Sequence, residues 1–316
     1  MTVYRDQVAA AADAVTILGS TRYAWLGRRS RRLDPSLESE LDEAQRRRYL
    51  VACLTEELYC SFYCHGAPVA ARWGESQPTS GDPRLLLALS RANNGRGGWE
   101  NGWRAERVGH GEVVARSAGL RVRIPARDCE SATPEPGAAI GVRLPKELPS
   151  LSPGFWFAVS DAPVASLDVR VYWHVTRAGA PALVRALTTR LNDGGVPFRL
   201  KVANHPYRFE RCDTAVLYLD GPAFRERRST IDDVAAALAG HLRPAVPALT
   251  LKLAPGVGAA EDPDGESFGA RRCSLLADAI VATAEAPVRG VDAIAATFAA
   301  TGVDIDAPYR AGRDVL

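Results

Sequence analysis

The sequence predicts an α+β fold in which N-terminal helices precede a central mixed or antiparallel sheet, and C-terminal helices pack on that sheet. Helical periodicity dominates the first third of the 316 residues and returns in the last third, whereas alternating apolar residues gather in the middle. Helices and strands do not alternate regularly, as they would in a parallel sheet of βαβ units. We expect one domain over 1–316, with a mainly helical part at 1–95 and a mixed strand–helix part at 96–316 that carries the functional site.

Aspartate–proline pairs mark two of the three helices expected in the first third. In each pair the aspartate caps the helix N-terminus, and the proline occupies the first turn, where its missing N–H is not needed. Asp34-Pro35 starts a helix that runs towards His65, and Asp82-Pro83 starts a shorter one. The three helices are expected at 3–18, 35–65 and 83–89.

The later elements follow from hydrophobic period and turn residues. Glycines after His110 and Ala118 predict two tight turns, and therefore hairpins, within 104–124. Ser229 is expected to cap a helix. Further strands are expected at 140–144, 155–159, 167–175, 198–202, 214–219 and 249–253, further helices at 181–191, 230–242, 268–284 and 291–300, and loops at 129–139 and 254–265.

Composition disfavours several classes of protein. The formal net charge of +2 gives no argument for bulk binding to nucleic acid or to a membrane surface. No apolar run approaches the ~18 residues that span a bilayer, and the first residues lack the apolar region of a secretion signal, so we expect a cytoplasmic protein. Cys53, Cys60 and Cys64 share one stripe of a predicted helix, which favours buried apolar thiols over a metal site, and no cofactor is expected.

Lysine is rare in this chain. Of the 39 basic residues only Lys146, Lys201 and Lys252 are lysines, and the rest are arginines. Lys201 and Lys252 each lie in a predicted strand beside apolar residues. One interpretation is an edge-strand lysine that blocks pairing with other chains. The other is a lysine whose pKa is lowered by burial and neighbouring cations until it can act as a base.

A second candidate site lies where the helix at 268–284 begins. Ser267 stands at its N-terminus, and Arg271 and Arg272 fall in its first turn. Free N–H groups at a helix N-terminus bind anions, and arginines add bidentate recognition of phosphate. A plain N-cap with surface arginines is the alternative, although first-turn cations oppose the helix dipole unless an anion is bound. Both interpretations stay open, because the acidic Glu266 would temper that conflict.

Four segments of the C-terminal half form a specific combination, and a weaker fifth lies in the first half. They are RVYWHV at 170–175, GVPFRLKVANHP at 195–206, RCDTAVLYLD at 211–220, LKLAPGVGAAEDPDGESFGARRCSLLADAIV at 251–281 and, in the first half, SRANNGRGGWENGW at 90–103. In order and spacing these segments resemble the HopA-like type III effector family. The resemblance covers the C-terminal half of the chain well.

This resemblance implies a role in making modified ribosomal peptides. Proteins similar to this family occur in GC-rich actinobacteria, in pathways for class V lanthipeptides and thioamitides, beside a phosphotransferase-like kinase. The kinase phosphorylates Ser or Thr in a precursor peptide, and the HopA-like protein then eliminates phosphate to leave dehydroalanine or dehydrobutyrine. The implied partners are the phosphorylated precursor peptide and the Ser/Thr kinase, with no nucleic acid and no membrane.

The implied β-elimination needs a base for the Cα proton, an acid for the departing phosphate, and cations for the developing charge. With this resemblance, Lys201 is the expected base, and either His174 or His205 is the acid. His174 is preferred on the family motif, while His205 lies nearer Lys201 in sequence. No metal is required. The expected phosphate-binding residues are Arg271, Arg272, Ser267 and Lys252, supported by Glu266, Asp213 and Arg211.

Two other functions remain open at this point. A non-catalytic scaffold of the same pathway would bind precursor peptide and kinase with the same cations, but it would not need a neutral lysine. A toxin acting on the signalling kinases of a host fits the effector resemblance, although no N-terminal secretion segment is evident.

Overall fold

The computed structural model describes residues 2–70, 80–117, 119–131, 133–262, 267–284, 290–313 and 315–316. The α+β fold class expected from the sequence is confirmed. Within these ranges every strand pairing is antiparallel. None of the helices in the same ranges combines the length and the apolar character needed to cross a membrane.

The described strands form three sheets, and the largest carries the candidate site. A three-stranded sheet contains β1 (Val15–Gly19), β2 (Arg22–Trp25) and β3 (Arg28–Arg29). A four-stranded sheet has the order β6-β5-β4-β7, with β4 (Trp99–Gly109), β5 (Glu112–Ser117), β6 (Leu120–Pro125) and β7 (Ala139–Arg143). The seven-stranded sheet has the order β13-β14-β10-β12-β11-β9-β8, with β8 (Glu147–Ser152), β9 (Phe155–Val159), β10 (Val169–Trp173), β11 (Arg199–Ala203), β12 (Ala215–Leu219), β13 (Leu251–Ala254) and β14 (Val257–Glu261).

Helices cover both faces of the seven-stranded sheet. They are α1 (Val3–Asp13), α2 (Pro35–Glu40), α3 (Glu43–Ser61), α4 (Pro83–Ala92), α5 (Ala180–Asp193), α6 (Gly221–Glu226), α7 (Arg228–Ala237), α8 (Phe268–Ala284) and α9 (Val291–Ala300). Alternation along β10 shows the two faces, because Val171 and Trp173 join the core formed with α4, α5 and α7. Tyr172 points the opposite way, into the core formed with α3, α8 and α9.

The aspartate–proline pairs in the first third predict helix starts correctly, but three helix ends differ. The helix expected at 83–89 extends to Ala92. The helix expected at 3–18 ends at Asp13, because the β-branched run from Val15 to Ile17 pairs in β1 instead. The helix expected at 35–65 breaks before Asp42, which starts α3 through a capping box with Gln45.

The prediction of a loop was wrong at β14, a strand that is rich in small residues. The loop expected at 254–265 contains this strand, which is buried at all five positions and lies inside the sheet between β13 and β10. A Cβ on Gly258 would lie 2.8 Å from Thr250 Oγ1, so the close packing here needs glycine. Ser229 is not a cap either, because α7 already begins at Arg228, directly after α6.

Candidate functional site

Lys201 lies on β11, on the face of the sheet away from α5. Its neighbours Leu200 and Val202 are fully buried on the opposite face, as strand alternation requires. The Lys201 ammonium nitrogen lies 3.7 Å from the centroid of the Phe155 ring on β9. Among the described residues it has no hydrogen-bond or ion-pair partner. The lysine is therefore held by an aromatic ring rather than by an acid.

The nearest buried carboxylate is already paired. Asp213 is 5% exposed and accepts two hydrogen bonds of 2.7 Å from Arg211, through Nε and Nη2. Burial alone would raise the pKa of Asp213, but the adjacent guanidinium holds it below its usual range. Arg211 also donates to the Tyr59 hydroxyl at 3.1 Å. Asp213 is thus an ionised residue that fixes the position of Arg211.

Arg208 brings a second guanidinium to the same ring as Lys201. Its guanidinium carbon lies 5.4 Å from the centroid of the Phe155 ring. It packs directly over Gly154, where a Cβ would collide with it. The Arg208 Nε is buried and has no hydrogen-bond partner in the described part of the chain. Burial, and then the nearby Arg211, lower the pKa of Arg208. A half-buried guanidinium whose Nε has no partner among the described residues can bind an anion.

These groups set the protonation of Lys201. Burial is the largest effect, and it lowers the pKa of Lys201 to about 8. Asp213 opposes this shift, whereas Arg211, Arg170 and Arg208 add to it by charge repulsion. The site therefore combines an amine that loses its proton more easily than an ordinary lysine with a local excess of positive charge.

His174 follows the end of β10 on the same face of the sheet as Lys201. Strand register places its Cα two strands across and two residues along from that of Lys201, about 12 Å away. The ring is 6% exposed, and its Nδ1 lies 3.1 Å from the Ala245 carbonyl oxygen. Because a carbonyl only accepts, Nδ1 carries the proton and Nε2 holds a lone pair. Nε2 is buried without a hydrogen-bond partner among the described residues, and burial lowers the pKa of His174.

His205 has a different environment. Its Nδ1 accepts a hydrogen bond of 3.4 Å from the Tyr207 backbone N–H. Its ring stacks on the Tyr207 ring with centroids 5.0 Å apart, and Tyr207 is 68% exposed. None of the contacts described for His205 reaches Lys201. No contact described for His174 reaches Lys201 either, so the choice between the two histidines stays a prediction.

The residues expected to bind phosphate at the start of α8 have other partners. Ser267 accepts a hydrogen bond of 3.4 Å from the Ala270 N–H, as a plain N-cap does. Arg272 is 2% exposed and donates to the carbonyl oxygens of Pro308 (2.7 Å) and Arg310 (2.6 Å). Arg272 therefore anchors the C-terminal segment instead of presenting its N–H groups to a ligand. Arg271 is exposed, and Glu266 lies outside the described residues.

Lys252 lies too far from Lys201 to share one phosphate with it. The two lysines fall in one register row, through Gly258, Tyr172 and Val216. They are four strand spacings apart, or about 19 Å. Lys252 is exposed on the edge strand β13, the position that the edge-protection interpretation requires.

Sequence reasoning missed Arg208 and the aromatic residues beside the site. Tyr59 stacks on Tyr63 with ring centroids 5.4 Å apart, and Tyr63 meets Tyr172 edge to face at 6.4 Å. The spacing of Tyr59 and Tyr63 by four residues gave a signal of a shared helix face. Arg208 carried no comparable signal, because the chain has 35 other arginines.

The comparison with protein families agrees with the sequence motifs. A model of the HopA1 effector protein family matches residues 147–310, a range that includes Lys201, Arg208, Arg211 and Asp213. Among solved structures, this chain is similar to an effector protein from Pseudomonas syringae pv. tomato strain DC3000, at 17% identity over 81% of this chain and 89% of that chain, with a TM-score of 0.48. It is also similar to an effector protein from Pseudomonas syringae pv. syringae strain 61, at 19% identity over 49% of this chain and 62% of that chain, with a TM-score of 0.40. No curated protein matches the chain. Since the family model spans more than half of the 316 residues, this chain belongs to the HopA1 effector protein family.

Proposed function

We propose that this protein is a phosphoserine/phosphothreonine lyase that removes phosphate from a kinase-phosphorylated precursor peptide and leaves dehydroalanine or dehydrobutyrine. Its pathway would be the biosynthesis of a ribosomal peptide such as a lanthipeptide or a thioamitide. The observation that carries the proposal is the amine of Lys201, whose pKa is lowered to about 8 beside the guanidinium of Arg208, which has no hydrogen-bond partner for its Nε in the described part of the chain. A protein that only bound phosphate would need cations, but it would not need an amine with a lowered pKa.

The elimination follows from this arrangement. The neutral Lys201 amine takes the Cα proton of the phosphorylated residue. The electron pair of the Cα–H bond forms the Cα=Cβ double bond, the Cβ–O bond breaks, and phosphate leaves with its electron pair. Arg208 and Arg211 stabilise the negative charge on the departing phosphate. His174, when protonated at Nε2, supplies the proton that this phosphate acquires.

A substitution that keeps the charge and removes the base tests the proposal. Lys201→Arg retains a cation, but a guanidinium stays protonated and cannot accept the Cα proton. We expect a loss of elimination of about 10²–10⁴-fold, while binding of inorganic phosphate persists. Lys252→Arg is the matched control, because the exposed Lys252 lies outside the site. Mass spectrometry of a phosphothreonine peptide, incubated with the protein alone, detects the loss of phosphoric acid.

The scaffold remains the second candidate, and the same experiment separates the two. If the wild-type protein leaves the phosphate on the peptide, both alone and after the kinase is added, the lyase is excluded. Retained phosphate, together with tight binding of the phosphopeptide, would then identify the scaffold.

A further inference from the structure

A groove lined by four arginines lies between the four-stranded sheet and the edge of the seven-stranded sheet. Its volume is about 600 Å³. All four arginine side chains are exposed, and Asp128 is the acidic residue among those that line the groove. Arg123 is paired with Glu112, with 3.6 Å between Nε and Oε2. The arginines are Arg96, Arg123, Arg127 and Arg143.

The floor of this arginine groove is apolar. Val122 and Ile124 of β6, Leu144 after β7, and Leu148 of β8 line it. Arg123 stands between Val122 and Ile124, so its side chain leaves the opposite face of β6. None of the described lining residues is aromatic, so the groove offers no ring on which a nucleobase could stack. A ligand that fits both the walls and the floor carries carboxylates and aliphatic side chains together.

The backbone around the groove also suits an extended chain. β6 and β8 both contribute lining residues, and each is an edge strand of its sheet. Edge strands leave backbone N–H and C=O groups unpaired on one side, where an added peptide strand can pair with them. Peptides bound in this way place alternate side chains in pockets, which matches an alternation of acidic and aliphatic residues.

The groove lies near the proposed catalytic lysine. Leu148 pairs with Phe157, and Phe157 pairs with Lys201, in one register row on one face of the sheet. Two strand spacings, or about 10 Å, therefore separate Leu148 from Lys201. An extended peptide covers this distance with about three residues.

From these observations we infer that the arginine groove binds an extended, acidic and aliphatic segment of the peptide substrate, at least three residues away from the phosphorylated residue. This inference rests on the proposed lyase function for its substrate. The groove would hold the peptide by charge and apolar contact, and would deliver the phosphorylated residue to Lys201. Such remote contacts raise the local concentration of the reacting group without touching it.

Binding of an unphosphorylated peptide tests the groove independently of catalysis. The ligand is a fluorescein-labelled peptide in which glutamate alternates with leucine, measured by fluorescence anisotropy. We expect Arg96→Glu/Arg127→Glu to weaken its binding by about tenfold or more, with a steep dependence on salt. The matched control is Arg107→Glu/Arg225→Glu, which makes the same charge change at two exposed arginines outside the groove. Circular dichroism establishes that both variants are folded.

Three outcomes would overturn the inference. Equal loss of affinity in the two double variants would show a general charge effect. Equal binding of a peptide with lysine in place of glutamate would remove the electrostatic argument. Tighter binding of a single-stranded oligonucleotide than of the acidic peptide would assign the arginines to nucleic acid.

Kinetics then connect the groove to the lyase. On a phosphothreonine peptide that carries the acidic segment, the groove variant should raise KM with little change in kcat, whereas on a peptide without that segment it should behave as wild type. Absence of elimination by the wild-type protein would refute the lyase and leave the anisotropy result standing. An unchanged KM with normal elimination would refute the docking groove alone.

Discussion

His174→Asn separates the acid from the base of the proposed elimination. In the wild-type protein the reactive form has Lys201 neutral and His174 protonated at Nε2. The pKa of Lys201 is about 8, and burial holds that of His174 below its ordinary value of 6.5. The base therefore has the higher pKa of the two, so each of these protonation states is the minor one at pH 7.

The lowered pKa determines how much base is available. At pH 7 about 9% of Lys201 is neutral, compared with about 0.03% for a lysine at 10.5, a gain of about 300-fold. Between the two pKa values the fraction of neutral Lys201 increases with pH by the same factor as the fraction of protonated His174 decreases. The product of the two fractions, and therefore the rate, does not change with pH in this range. Above about pH 8 most of the lysine is neutral and its neutral fraction rises little further, so the rate falls because the protonated fraction of His174 continues to decrease.

The substitution should change the shape of this profile. Asparagine places an amide N–H near the Nδ1 position, where it can still donate to the Ala245 carbonyl, but it supplies no proton from the position of Nε2. We expect kcat/KM to fall by about 10²–10⁴-fold at pH 7, and the fall above pH 8 to become a plateau. Only this upper limb is diagnostic, since the phosphate of the substrate titrates near pH 6.

Steady-state assays of phosphate release from a phosphothreonine peptide, from pH 6 to 10, measure the profile. His205→Asn is the matched control and should keep the wild-type shape. If His174→Asn still loses activity above pH 8, His174 is not the acid. If His205→Asn gives the plateau instead, the roles of the two histidines are reversed.

Four further substitutions test the remaining assignments. Arg208→Gln should weaken binding of inorganic phosphate by about tenfold or more in isothermal titration calorimetry, because a charge-assisted donor is lost; an unchanged affinity would remove Arg208 from the site. Arg272→Met should lower the free energy of unfolding by about 2–4 kcal/mol in urea, since two donors to backbone carbonyls are lost, yet leave phosphate affinity unchanged; a loss of affinity equal to that of Arg208→Gln would restore the site at α8. Asp213→Asn breaks a buried ion pair and should lower the free energy of unfolding by about 3–5 kcal/mol at pH 7. This loss should shrink in acid, because the pKa of Asp213 is lowered in the folded state and its stabilisation disappears as pH falls through that value; a loss independent of pH would show that the charge is not responsible. Lys201→Met should raise Tm at pH 7 by a few degrees, with the gain fading between pH 8 and 10.5 as the buried amine loses its proton; a lower Tm would mean that the ammonium stabilises the fold.

Local signals in the sequence account for the helices and hairpins that were predicted well. The aspartates before Pro35 and Pro83 cap the helices that follow them, and the turn at His110 joins β4 to β5. The strand β14 was not predicted, because its glycine and alanines have low strand propensity in isolation. Their burial between β13 and β10, under packed helices, is a tertiary effect that no local window contains.

The candidate site likewise contains one residue that the sequence could predict and others that it could not. Lys201 could be found because lysine is rare in this chain and because its strand is strongly apolar. Arg208 could not be found, because its proximity to Lys201 depends on Gly154 and Phe155 of a strand pairing that spans about fifty residues. The helix N-terminus at Ser267 carried a local signal for anion binding, but Arg272 donates its hydrogen bonds to backbone carbonyls of the C-terminal segment.

The isolation of Lys201 from a carboxylate is the strongest physical argument for its function. A lysine that only stabilised the fold would be expected to pair with the nearest acid, because burial of an unpaired ammonium is costly. Asp213 is that acid, yet both of its oxygens accept from Arg211. Arginine keeps its proton in almost any environment, so this pair fixes a permanent charge beside an amine that can lose one. The arrangement lowers the free energy of unfolding at pH 7 and raises the fraction of Lys201 that is neutral. Lower stability in exchange for a more reactive group is expected at the position of a catalytic base.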